Sequence, residues 1–344
     1  MRLVPVTELR PDSEVAIDIL DEHSKIVIKK GCTITKRNIE RLKYTNISSI
    51  YIKDKYCFAN TATYTAQSKN VLHKVIFLKQ FAQLSLLGVT PKEVMIEAIN
   101  TVNDIINVLH DYKHIYKIRY EPKKINGNDF EEKTVYIAIM SSLLALKVGF
   151  SKHDAAALCL AALLRDISLV QPSVKWEKVD PPKHHPIQSS KYLAENYNLP
   201  KPVLEIVEQH HELYDGKGYP YNLKGENICK GARILAIIDI YYRIKTVSLD
   251  ENNIIGIELE FNKLISHFDP YYVDRFLRNV VIYDADILIK LTTGDIGVVT
   301  DIQPKNPFKP QIKIVKSCNY TIGDILNLYK MNDVKINKIV YYVD

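Results

Sequence analysis

Cysteine is scarce and scattered in this 344-residue chain: Cys32, Cys57, Cys159, Cys229 and Cys318 stand at no CxxC or zinc-like spacing. That excludes a disulfide framework and a cysteine-built metal site, and predicts reduced, mostly structural thiols. Long apolar runs are missing too. The longest, AAALCLAALL at 155–164, falls far short of the roughly 20 residues a membrane span needs. The opening residues MRLVPVTELRPDSE hold no apolar core of a signal peptide, so a soluble cytoplasmic protein is expected. Charge of one sign is thin: 46 basic against 40 acidic residues leave a net +6, spread along the chain. No basic run interleaves with aromatics, which argues against a DNA or RNA surface but suits a small anionic ligand. What is present is a core, because 47% of the residues are apolar and a disordered chain is excluded.

The length suggests two or three units. Residues 1–56 read as a small β-rich domain: EVAIDIL and KIVIKKG are β-branched runs, Gly31 marks a turn, and SSIYIK adds a strand. Between them TKRNIERLKY predicts a short helix with Thr35 as its N-cap. The stretch CFANTATYTAQSKNV leads into VIFLKQFAQLSLLG and PKEVMIEAINTVNDIINVLHDY, the second opening on Pro91, so 57–120 reads as a helical connector. After the loop EPKKINGND, residues 130–278 show helix after helix, and 121–280 reads as a helical domain. Past 280, DILIKLT, GDIGVVTDIQ and PQIKIVKS, punctuated by Gly294-Asp295 and Asn306-Pro307, predict a β module over 281–344. The basic residues of 305–316 are expected on a solvated strand face. The expected fold class is α+β: an all-helical domain flanked by β-rich modules.

The chemistry sits where polar residues continue apolar stripes. A helix predicted from Ser151-Lys152-His153-Asp154 carries Ala155, Leu158, Cys159, Ala162 and Leu163 at i, i+3, i+4, i+7 and i+8, and the next member is Asp166. In KPVLEIVEQHHE the face of Val203, Leu204 and Val207 runs into His210 and His211. In ARILAIIDIYY the face of Ala232, Leu235 and Ala236 runs into Asp239. In EEKTVYIAIMSSLL the stripe of Ile137, Met140 and Leu144 starts at Lys133. A carboxylate facing a core is costly unless a cation or metal meets it. Imidazoles and carboxylates from several helices, aimed at one place, suit iron, manganese or zinc.

The run HHELYDGKGYP at 210–220, an aspartate helix ARILAIID after it and Arg165-Asp166 before it, resembles the HD-GYP family of bacterial phosphodiesterases. The ELRPDSEVAIDILDEHSKIVIKKGCTI stretch and GDIGVVTDIQPKNPFKP are similar to the small β segments that often flank such domains. The resemblance implies a site of two or three iron or manganese ions acting on cyclic di-GMP, giving the linear dinucleotide or GMP. It places metal ligands at Asp166, His185, His210, His211 and Asp239, with Asp166 catalytic. It places substrate contacts at the loop of Gly218, Tyr219 and Pro220, whose turn Asp215 and Gly216 shape. Arg243 and Lys245 would supply phosphate contacts, His184 is expected at the surface, and Tyr241 and Tyr242 are expected in packing.

The chain departs from that pattern at three ligand positions: Lys133 stands at a glutamate position, Ile137 and Arg165 at histidine positions. Ser168-Leu169 replaces a Gly-Lys, and Ser248 and Glu251 stand where basic groups are expected. Arg165 either pairs inward or turns outward, and Lys133 is expected against Asp166 or Asp239. The surviving donors suffice for one iron or manganese ion and not for a full cluster. The leading expectation is a cyclic-di-GMP-related signalling protein that binds nucleotide or a protein partner, with weak or no phosphodiesterase activity. The alternatives are an active metal-dependent cyclic di-GMP phosphodiesterase and a purely structural interaction protein.

Overall fold

The computed structural model describes residues 1–20, 25–45, 47, 49–58, 69–88, 90–119, 130–171, 173–174, 181–250 and 255–344. The N-terminal unit holds β1 (Arg2–Pro5), β2 (Glu14–Val15), β3 (Ile19–Leu20), β4 (Ile26–Ile28), α1 (Lys36–Lys43) and β5 (Ser49–Lys53). Strand β5 lies between β1 and β2, antiparallel to both, with Arg2 opposite Ile52 and Glu14 opposite Lys53. Alternation puts Ile50 and Ile52 inward, against Val4, Val15, Ile34 and Leu42. Helix α1 begins as expected, the Asn38 N–H donating to Thr35 Oγ1 at 3.2 Å. The expected EVAIDIL strand is two short strands instead.

Helices α2 (Lys69–Leu86) and α3 (Lys92–Tyr112) follow, and then the two-residue strand β6 (Ile118–Arg119). Pro91 is the residue before α3 rather than its first turn. Neither helix is a spacer. Leu78, Phe81, Met95, Ala98 and Val102 share one buried core with Leu144 and Leu158 of the helices beyond. The loop expected at 121–129 lies outside the described residues.

The helical unit continues as α4 (Phe130–Lys147), α5 (Lys152–Leu164), α6 (Pro181–Asn196), α7 (Lys201–Gln209), α8 (Lys230–Asp250), α9 (Ile255–Leu264) and α10 (Pro270–Asn279). Helix α5 starts where Ser151 caps it, accepting the Asp154 N–H at 3.1 Å. It is buried on every side, Ala157, Leu160, Ala161 and Leu164 included, because α3, α4, α7 and α8 surround it. Strand β7 (Val280–Val281) pairs in parallel with β6 and ties the end of the helical unit to its start.

The C-terminal sheet runs β11-β10-β9-β8-β12, antiparallel throughout, from β8 (Leu288–Leu291), β9 (Ile296–Val299), β10 (Gln311–Lys316), β11 (Ile325–Asn327) and β12 (Ile336–Val340). Its Ile289, Leu291, Ile312 and Ile314 join the helical core, while Leu288, Ile296 and Val298 meet Tyr56. Beyond β12, Tyr341 and Tyr342 lie on the N-terminal core. The fold is α+β, and no helix among the described residues is long and apolar enough to cross a membrane.

Candidate metal centre

Helix ends build the centre. Arg165 closes α5 and Asp166 follows it, His185 lies in α6, and His210 and His211 follow α7 directly. His185 Nε2 is 3.2 Å from His210 Nε2 and 3.2 Å from Asp166 Oδ1, which lies 3.7 Å from His210 Nε2. One donor atom from each of Asp166, His185, His210 and His211 lies within 4.8 Å of all the others. His210 Nδ1 is 2.6 Å from the Val207 carbonyl, which can only accept. The proton is therefore on Nδ1, and the lone pair of Nε2 faces the cluster. Burial lowers the pKa of His210, and pushes that of His211 down to about 2. Burial alone would raise Asp166, but the Arg165 charge and the hydrogen bond from His185 hold it well below the usual carboxylate range. One carboxylate and three imidazoles with a donor atom each within 4.8 Å of the others are a metal's donor set.

The other half of the site is cationic. Arg165 is 2% exposed and turned inward. Its Nη1 donates to the Ala162 carbonyl at 2.6 Å, its Nε lies 3.4 Å from Asp166 Oδ2, and its Nη2 lies 3.4 Å from Asp239 Oδ1. Lys133 Nζ, from the first turn of α4, is 3.6 Å from the same Asp239 oxygen. Asp239, expected among the ligands, is thus held by two side-chain cations. Ile137 is fully buried in the core. Asp166 faces both halves, one oxygen toward the histidines and the other toward Arg165.

Two supports were not legible as such. Ser168, a departure from the family pattern, donates through Oγ to the His185 carbonyl at 3.0 Å and accepts from Ser189 Oγ at 2.8 Å. Glu212 adjoins the histidine pair like a ligand. Its buried carboxylate instead accepts the N–H groups of Tyr221 at 2.7 Å and Leu223 at 2.9 Å, folding the loop on itself. Only glycine fits at 218, where a Cβ would stand 2.3 Å from the Leu213 nitrogen. That close approach lets the Tyr219 N–H reach the His211 carbonyl at 3.2 Å and its ring lie 4.6 Å from the imidazole, with Pro220 following.

The remaining expectations divide. His184 is at the surface, as expected. Tyr241 packs on Phe276 and Tyr242 on Tyr136. Arg243 is exposed on α8. Lys245, expected as a phosphate contact, is buried: its Nζ lies 3.5 Å from the Ile282 carbonyl, and burial pushes its pKa down to about 8. Six residues beyond Asp239, it leaves α8 on a different face. The side chain of Ser248 and all of Glu251 lie outside the described residues.

The HD domain family model matches residues 130–257, which hold both halves of the site and the whole loop. Residues 130–257 thus form an HD domain, and the likeness to the relatives below supports membership of the HD-GYP family. Over 137 residues it is 30% identical to a cyclic di-GMP phosphodiesterase of Pseudomonas aeruginosa, covering 38% of this chain and 32% of that one. Over 211 residues it is 25% identical to the cyclic di-GMP phosphodiesterase PdeB of Borreliella burgdorferi, covering 56% and 54%. The chain thus spans about a third of the first relative's length and about half of the second's. A solved HDG"Y"P protein from Bdellovibrio bacteriovorus is matched over 80% of this chain and 97% of that one, at 15% identity and a TM-score of 0.40. In this HD domain the His/Asp cluster is the candidate for metal binding.

Proposed function

We propose that this chain is a cyclic dinucleotide signalling protein whose HD-GYP domain binds nucleotide, or a protein partner, with weak or no phosphodiesterase activity. The observation that carries the reading is the division of the site, four donors on one side and Arg165 with Lys133 on the other. Two unit charges 4 Å apart interact by roughly 4 kcal/mol at an effective dielectric of ~20, and a divalent ion doubles that. Both cations lie closer than that to Asp239, so a second ion there meets strong repulsion. Asp166, His185, His210 and His211 fit one iron or manganese ion. Such an ion, when bound, supplies Lewis acidity and a more acidic water. Clamping both the attacking and the leaving oxygen of a phosphodiester is work for two ions.

This chain's own residues do the rest. Arg165 fixes Asp166 from behind, and Tyr219 shields His211 beneath an aromatic face that can stack on a base. Lys133, its side chain 37% exposed, offers the rim an ammonium for a phosphate. Cyclic di-GMP is the ligand that the named activity of the relatives supports. The retained donors favour a second reading, an active metal-dependent cyclic di-GMP phosphodiesterase that hydrolyses through one ion.

The test uses protein purified without oxygen, supplied with ferrous iron or manganese, and mixed with cyclic di-GMP beside a His210→Ala control. Binding is read by calorimetry and products by chromatography. Binding without turnover is expected. Turnover that the control abolishes would establish the enzyme reading, and neither binding nor turnover would leave a structural interaction protein.

A further inference from the structure

The loop over 212–225 is tied mainly to itself and to the helix it follows. Glu212 binds Tyr221 and Leu223, Gly225 N–H donates to the Tyr214 carbonyl at 2.9 Å, and Tyr221 Oη reaches Glu208 of α7 at 2.6 Å. A pair of bonds also reaches it from elsewhere. His267, in the turn between α9 and α10, accepts the Tyr214 N–H on its carbonyl at 2.8 Å and places Nδ1 2.7 Å from Asp215 Oδ2. His267 lies outside residues 130–257, the segment that the HD domain model covers.

We infer that His267 is the positioning residue of this loop, holding Tyr214 and Asp215 so that Tyr219 stays against His211. The proton lies on Nδ1, because the carboxylate it faces can only accept, and a bond to a carboxylate is the stronger kind. The other oxygen of Asp215 accepts the Lys217 N–H at 3.2 Å, so one carboxylate sets the turn and anchors it. The anchor is itself fixed. Two residues on, buried Asp269 pairs with Arg233 of α8 at 2.7 Å and caps α10 by accepting the Tyr271 N–H at 2.9 Å. On the other side α9 meets the C-terminal module, Phe261 against Phe308 with ring centres 5.8 Å apart and Glu258 3.4 Å from Asn306 Nδ2. Position is relayed along the loop because Gly218 is pressed onto the backbone of 211–213. A shift at Asp215 therefore moves Tyr219.

The experiment is limited trypsin digestion of the full chain, following cleavage after exposed Lys217 and, as an internal control, after Lys43 on the distant N-terminal unit. Cleavage of a folded protein reports how often the segment opens. Loss of a charge-assisted bond predicts roughly tenfold faster cleavage after Lys217 in His267→Ala and in Asp215→Ala. The double variant should cut no faster than Asp215→Ala, since that change already removes the His267 bond along with the carboxylate's contacts to Lys217. His267→Asn, whose amide nitrogen can take the place of Nδ1, should return to within about twofold of the unaltered chain. Faster cleavage at both lysines would mean general destabilisation and overturn the inference, as would unchanged cleavage after Lys217. If His267→Ala fails to fold, Asp215→Ala reads the same bond from the loop side.

Discussion

Asp166 and Arg165 are sequence neighbours that divide the site between them. The carboxylate was legible because it continues the apolar spacing of α5, and a charge on such a stripe demands a partner. Which partner was not legible, since spacing says nothing of χ angles: Arg165 had an outward alternative and lies inward, within 3.4 Å of Asp166 and Asp239. Removing one member of a buried pair strands the other. Arg165→Ala is therefore expected to cost roughly 3 kcal/mol in urea unfolding. A cost below about 1 kcal/mol would place the guanidinium in solvent. Glu212 teaches the same limit from the other side. It stands beside two histidines, yet its oxygens are used up by backbone N–H groups, something only the folded loop reveals.

At the scale of elements, caps and turns were readable and neighbours were not. Thr35 and Ser151 start their helices as their side chains dictate, and the Gly294-Asp295 turn joins β8 to β9. The stripe on α5 understated its burial, because a helix of alanines and leucines enclosed by four others leaves no outer face to show a period. Strand β12 was missed because a bulge between Ile336 and Lys338 breaks its alternation. The loop's geometry gives a direct test. Gly218→Ala puts a Cβ 2.3 Å from a backbone nitrogen that cannot yield. A cost of about 1–3 kcal/mol and loss of the Tyr219 ring-current shift at His211 are expected by NMR.

The turn between β8 and β9 offers a pH test. Asp295 accepts from Ser317 at 2.6 Å, Thr293 at 2.5 Å and Asn319 at 3.1 Å; burial would raise its pKa, and these bonds lower it from 3.8 to about 2. A depressed carboxylate stabilises the fold above its unfolded value, and that contribution fades as pH falls toward the folded one. The advantage of the unaltered chain over Asp295→Asn in urea midpoint should thus be full near about pH 6 and shrink below about pH 4. A gap that stays constant would show that the bonds do not depend on the charge.

For the whole molecule, the order β, helical, β was legible from texture alone. That α2 and α3 belong to the central core was not, because an amphipathic helix announces that it has a buried face and not what covers it. The five-stranded sheet likewise serves two neighbours, the helical core on one face and Tyr56 of the N-terminal segment on the other. The functional account depends on the same global convergence: α5, α6 and α7 bring the donors, while α4 and the C-cap of α5 bring the cations to Asp239 on α8. The most direct measurement is metal content by mass spectrometry, on protein purified without oxygen and loaded with iron or manganese. One ion per chain, absent from His210→Ala, is the predicted result. Two or more ions bound to the unaltered chain would show that Arg165 and Lys133 do not keep further metal from the site, and would contradict the account.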